Sequence, residues 1–199
     1  MDTKAMYKLG YGLYVLSAHE EGKDNACIVN TVIQVTTTPN RITVAVNKQN
    51  YTQGMIQRTN KFNVSVLAQS APFELFTRFG FQSGRDTDKF AGFEARRSGN
   101  GLLYVPEHTT AFLSCWVADS MDLGSHMLYL ADVTDCEVLS NEDSVTYAYY
   151  QKHIKPAPAP KAKGWRCRIC GYVHEGDDLP EDFVCPTCKH GAIDFEKIG

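Results

Sequence analysis

Up to about residue 140 the apolar positions come in short runs rich in Val, Ile, Thr, Tyr and Phe, broken by polar and glycine-containing punctuation. Side chains of this kind fit a pleated, half-buried surface. The pattern predicts strands over residues 11–17, 26–36, 41–46, 62–67 and 111–118 and a long strand over 126–139, with Pro39-Asn40 as a turn between two of them. Two stretches carry helix signals instead. One opens at Asn50 or Thr52 and runs to about Arg58; the other starts after Ser70, has Pro72 near its first turn and ends at Gly80. The fold class is therefore mainly β, an antiparallel barrel or sandwich, and no internal repeat is present. Gly10-Tyr11-Gly12 opens like a dinucleotide fingerprint, but Val15 stands where the third glycine belongs and a strand follows, which excludes a Rossmann unit.

The pattern changes at residue 154. From Ile154 to Lys163 proline occupies positions 156, 158 and 160, which forbids a helix or a central strand and favours an extended polyproline spacer of about 30 Å at ~3.1 Å per residue. Three parts follow: residues 1–153, a linker over 154–163, and a tail module over 164–199. The net charge of −3 belongs to the tail, where 7 acidic residues face 4 basic ones while residues 1–163 hold 16 of each. An acidic module is repelled by phosphate backbones, which counts against nucleic acid as a partner. No apolar run approaches the roughly 20 residues that cross a bilayer, and the first residues lack the order of a signal peptide, so the expectation is no membrane and a cytoplasmic location.

Four of the seven cysteines form two tight pairs, Cys167-x-x-Cys170 and Cys185-x-x-Cys188. Such pairs put thiolates on tight turns, and together they complete a tetrahedral all-sulfur site that suits iron and zinc alike. A module of some 35 residues is too small to be held by apolar burial alone, so metal must help to fold it. Cys27, Cys115 and Cys136 lie singly in strand-like runs and are expected to be buried, inert thiols.

The flanks of the pairs narrow the metal. Trp165 to Tyr172, then Leu179-Pro180-Glu181-Asp182-Phe183-Val184-Cys185-Pro186-Thr187-Cys188, then Asp194-Phe195-Glu196, closely resemble rubredoxin, the mononuclear iron electron carrier. The resemblance implies one iron on Cys167, Cys170, Cys185 and Cys188, with Trp165, Tyr172, Phe183 and Phe195 as an aromatic core and backbone amides donating to sulfur. Only 14 residues separate Cys170 from Cys185, fewer than in free-standing rubredoxins and similar to the trimmed version in rubrerythrins.

From Leu9 to roughly Leu139 the chain resembles the flavin reductase-like family of FMN-binding split β-barrels. The motifs that carry this are Asn30-Thr31-Val32-Ile33-Gln34, Asn50-Tyr51-Thr52, the run from Ser83, Gly84 and Arg85 to Lys89 and Phe90, and Leu123-Gly124-Ser125-His126. The resemblance implies FMN, with Asn30, Thr31 and Gln34 facing the isoalloxazine ring while Val32 and Ile33 pack elsewhere. A helix N-terminus near Thr52 is placed to hold the phosphate, with added charge from Arg85 or Lys89 and, less directly, Lys48. His126 is the candidate catalytic residue, as a contact to flavin or nicotinamide. The other five histidines are read as surface residues. The family implies a homodimer with flavin near the subunit interface.

The combination resembles the high-molecular-weight rubredoxins, and implies an oxidoreductase that passes electrons from NAD(P)H through FMN to the four-cysteine iron and on to a flavodiiron protein or rubrerythrin. Two alternatives stay open: a zinc-ribbon interaction module on a flavin-binding barrel, and a reductase of freely diffusing flavin.

Overall fold

The computed structural model describes residues 2–157 and 163–198. Its larger part is one seven-stranded antiparallel sheet, built from β1 (Tyr14–Glu20), β2 (Lys23–Val29), β3 (Ile33–Thr37), β4 (Asn40–Asn47), β5 (Lys61–Leu67), β8 (Thr109–Asp122) and β9 (His126–Val138). A short ladder of β6 (Arg96–Arg97) with β7 (Leu103–Tyr104) precedes β8. The strand order is β2-β1-β5-β8-β9-β4-β3. Helix α1 (Tyr51–Thr59) joins β4 to β5, and α2 (Phe73–Gly80) follows β5.

Strand alternation sorts the core into two layers. Along β1, Leu16 and Ala18 point into the barrel with Val44, Val46, Met55, Ile56, Phe62 and Tyr129, whereas Val15, and Leu13 just before the strand, point outward beneath α2. β2 divides in the same way, Cys27 and Val29 inward and Ala26 and Ile28 outward. Both faces of these strands are covered, so they read as continuous apolar runs. The outer layer is aromatic: Phe76 stands 4.6 Å from Tyr150, and Phe79 lies 5.0 Å from Phe93 and 5.3 Å from Phe90.

The predicted strands and helices recur with shifted ends, with one substantive difference. The expected strand over 26–36 is two strands, broken at Asn30–Val32 where the chain leaves one edge of the sheet (β2) for the other (β3). Cys27 and Cys115 are buried as expected, but Cys136 is exposed, with the whole outer end of β9 from Thr134 to Val138. The start of the expected linker is also structured: Tyr150–Ile154 forms a helical turn whose Tyr150 is 4% exposed under α2. The polyproline spacer over 158–162 lies outside the described residues.

The tail module is a three-stranded antiparallel sheet in the order β11-β10-β12, from β10 (Gly164–Cys167), β11 (Val173–Glu175) and β12 (Phe195–Ile198). Its core is Cys167, Cys185 and Phe195, with Trp165, Tyr172, Leu179 and Phe183 against it. No helix among the described residues is long and apolar enough to cross a membrane.

Candidate functional site

Two knuckles bring the cysteines together. After the second cysteine of each comes a left-handed residue, Gly171 at φ 84° and Lys189 at φ 64°, which turns the chain back. The Gly171 N–H then donates to the Cys167 carbonyl at 2.9 Å, and the Lys189 N–H to the Cys185 carbonyl at 2.9 Å. The four sulfurs lie within 4.8 Å of one another, with Cys167 Sγ 3.5 Å from Cys188 Sγ and Cys170 Sγ 3.6 Å from Cys185 Sγ. A tetrahedral metal about 2.3 Å from each sulfur requires edges of about 3.8 Å, so the cage fits. Hydrogen bonds from Cys170 and then Cys188 hold the Cys167 thiol down to about 2, while the thiols of Cys170 and Cys188 are pushed up, chiefly because they donate to the Cys167 thiolate. A thiolate accepting from crowded neighbouring thiols is an arrangement whose protons a thiophilic cation displaces on binding. Backbone amides of Ile169 and Cys170 face the Cys167 sulfur, that of Tyr172 faces Cys170 and that of His190 faces Cys188, the donor pattern that tunes a metal's electronics.

A cavity of about 560 Å³ opens between the barrel and this module. That lies within the usual range of cofactor sites. One wall is the end of β2 through Asn30; a second is Asn47, Gln49, Asn50 and Tyr51 at the entry to α1; a third is the loop from Phe81 to Asp86. Asn50 precedes α1 without a side-chain cap bond, so the positive end of the helix meets the cavity without that acceptor. Cationic groups gather there: Lys23 Nζ and the Arg85 guanidinium lie 4.9 Å and 5.4 Å from the centre of the Tyr51 ring, and Arg85 Nη1 donates to the Gln49 carbonyl at 3.1 Å. Gly84 allows the loop to close. A Cβ there would sit 2.1 Å from Asn25 Oδ1, a buried acceptor with no hydrogen-bond partner among the described residues.

Of the residues singled out from sequence, Asn30, Asn50, Tyr51, Ser83, Gly84, Arg85, Lys89 and His126 line this cavity. Others do not. Thr31 Oγ1 is tied to the Ala45 backbone, donating to its carbonyl at 2.8 Å and accepting from its N–H at 3.0 Å. Val32 packs on the barrel core, and Ile33 and Gln34 are exposed on edge strand β3, because the chain break at Asn30–Val32 carries them away from the β2 end. Lys48 Nζ pairs with Asp122 at 2.5 Å, Thr52 is buried and accepts from Asn25 Nδ2 at 2.9 Å, and Phe90 packs under α2.

Lys89 differs from its expected role as a phosphate cation. It is 3% exposed, and its Nζ donates to the carbonyls of Ala26 at 2.8 Å and Phe79 at 2.9 Å, so its charge ties α2 to β2. Desolvation lowers its pKa, opposed by the nearby Cys27.

His126 begins β9 opposite Asn47, with Nδ1 2.9 Å from Ser125 Oγ. Burial first, and then the field of His190, lowers its pKa, which favours the neutral imidazole. His190, expected at the surface, lines the cavity instead, as do Ile169, Pro186, Thr187, Cys188 and Lys189. Nothing in a linear reading relates the second knuckle to the barrel. Sequence reasoning also misses Asn25, Cys27 and Asn47, polar or small residues within strands, and Tyr147, which opens a one-turn helix; none carries a motif.

The flavin reductase like domain matches residues 6–158, and the rubrerythrin, rubredoxin-like domain matches residues 165–196. The chain belongs to the flavin reductase like domain family. A high molecular weight rubredoxin from Moorella thermoacetica is 38% identical over the whole of both chains. A ferric-chelate reductase (NAD(P)H) from Archaeoglobus fulgidus is 37% identical over 75% of this chain and 89% of its own. Among solved structures, an NADH:FAD oxidoreductase from Streptomyces globisporus superposes with a TM-score of 0.64 at 16% identity, covering 71% of this chain and 84% of that one, a likeness of fold. Both parts of the reading, a flavin reductase-like barrel and a rubredoxin-like four-cysteine site, are thereby shown in one chain.

Proposed function

We propose that the protein is an NAD(P)H-dependent oxidoreductase whose electrons pass from FMN in the barrel cavity to one iron on Cys167, Cys170, Cys185 and Cys188, and then to an acceptor protein. The observation that carries the reading is the shared cavity: barrel residues form most of its wall, and Cys188, a metal ligand, forms part of the rest. Bound flavin accepts a hydride as an electron pair and gives electrons up singly, and a four-thiolate iron carries one at a time, so the pair converts two-electron input into one-electron output.

The chain's own residues supply position and electrostatics. The α1 N-terminus at Asn50 and Tyr51, with Ser83, Gly84 and Arg85, holds the phosphate; Arg85 needs only to exchange the Gln49 carbonyl for phosphate oxygen. Asn30 and Asn47 offer hydrogen bonds to the ring. His126 meets flavin or nicotinamide as a neutral imidazole. Pro186 to His190 line the cavity, which would place the iron site beside the bound flavin.

The acceptor in this reading is a flavodiiron protein or a rubrerythrin, in a reducing cytoplasm that keeps the thiols free. The acidic tail steers docking to a basic patch. A homodimer is supported by exposed apolar side chains: Ile33 and Val35 on edge strand β3, and Met121 and Leu123 at the β8–β9 hairpin.

Anaerobic addition of NADH or NADPH to the purified protein, followed at both flavin and iron absorbance, tests the reading. Flavin bleaching and then stoichiometric iron bleaching is the expected result. Zinc without iron in elemental analysis would support the zinc-ribbon reading, and loss of all flavin on gel filtration would support the free-flavin reductase.

A further inference from the structure

The module is seated on the barrel by a cation whose role the electron path leaves unexplained. Lys155 is rooted on the barrel side: its backbone N–H donates to the Tyr150 carbonyl at 2.8 Å, and Tyr150 is buried beneath α2. Its side chain reaches the other way. Nζ donates to the carbonyls of Arg168 at 2.7 Å and Ile169 at 3.1 Å, the two residues between Cys167 and Cys170. A half-buried ammonium is thus spent on the first knuckle while the second faces the flavin cavity.

We propose, on the reading of the preceding section, that Lys155 is a positioning residue of the electron path: it grips the first knuckle so that Cys188 faces the flavin cavity, and its charge makes the seated iron easier to reduce. Four thiolates around ferric iron are singly negative, and the electron arriving from reduced flavin makes the site doubly negative, with no bond made or broken at sulfur. A fixed cation beside the knuckle therefore stabilises the reduced state more than the oxidised one. Partial burial strengthens the effect, since less water screens it. The fields of Cys167 and Cys170 act on Lys155 in turn, holding its proton against the desolvation that lowers its pKa. Seating and reduction are coupled, so the module is the better electron acceptor where the donor is.

The test compares Lys155→Met and Lys155→Gln with Lys155→Arg in the full chain loaded with iron and FMN. The iron midpoint potential is read by anaerobic spectroelectrochemistry at the thiolate absorption, and single-turnover iron reduction is read by rapid mixing with NADH. Loss of the charge is expected to lower the ferrous-to-ferric ratio at a fixed applied potential at least threefold, equivalent to about 28 mV for one electron, and to slow iron reduction; Lys155→Arg retains the wild-type potential. Gln keeps a donor for the two carbonyls without the charge, and shares the lowered potential if Met disturbs the seat. Fully iron-loaded Met and Gln variants with an unchanged potential overturn the proposal, even if electron transfer slows. Zinc in the wild-type cage removes the reading beneath it as well, an outcome distinct from iron present with its potential unmoved.

Discussion

Gly84→Ala gives a quantitative handle on the flavin loop. The new methyl group would lie 2.1 Å from Asn25 Oδ1, 2.4 Å from Cγ and 2.7 Å from Nδ2. All three distances are far inside van der Waals contact. Asn25 does not yield cheaply, because it is 1% exposed and its Nδ2 donates to Thr52 Oγ1 at 2.9 Å, next to the first turn of α1. Overpacking of this kind costs about 1–3 kcal/mol, and breaking the Asn25–Thr52 bond adds about 1 kcal/mol. If the loop moves instead of Asn25, the cost falls on closure over the proposed phosphate end of the cavity, and about 2 kcal/mol weakens FMN binding roughly thirtyfold. The assays are fluorescence titration of FMN into the apoprotein and thermal unfolding, where about 2–4 kcal/mol lowers Tm by roughly 4–16 °C in a chain of this size. A double-mutant cycle isolates the cause. Asn25→Ala removes the obstructing side chain, so Gly84→Ala in that background should be nearly neutral; additive effects of the two changes would refute the steric account.

Arg85→Ala should raise the FMN dissociation constant by about ten- to a hundredfold through loss of a charge-assisted phosphate contact, read in the same titration, with little change in iron content. Cys185→Ser should abolish the red thiolate–iron absorption and open the tail module to proteolysis, while the barrel retains flavin, because metal supplies most of the folding energy of so small a unit. Lys89→Met strips the Ala26 and Phe79 carbonyls of their charged donor and should cost about 2–4 kcal/mol in denaturant unfolding. The pKa of Lys89 is lowered on folding, so between its folded and unfolded values the unfolded chain binds the extra proton and stability rises with pH; in Lys89→Met that rise should vanish from unfolding curves on the alkaline side.

Local patterning settled a good deal. Short β-rich runs named the strands, Pro72 and Gly80 marked the bounds of α2, and Cys167, Cys170, Cys185 and Cys188 declared a metal cage by spacing and flanks alone, because knuckle ligands are neighbours in the chain as well as in space. What lay beyond reach was everything set by residues distant in sequence. The strand expected through Asn30–Gln34 splits because β2 and β3 occupy opposite edges of the sheet, and that long-range pairing decides that Asn30 enters the cavity while Ile33 and Gln34 leave it. Lys89 reads in the sequence as a cation for the flavin phosphate, and only the packing of α2 on β2 turns it inward to two carbonyls. The seating of the second knuckle over the flavin cavity and the grip of Lys155 on the first follow from tertiary contacts across the interval that the sequence marks only as proline-rich. Chemistry carried by neighbours along the chain can be read from the chain, whereas the direction in which a side chain points depends on partners that folding alone brings beside it.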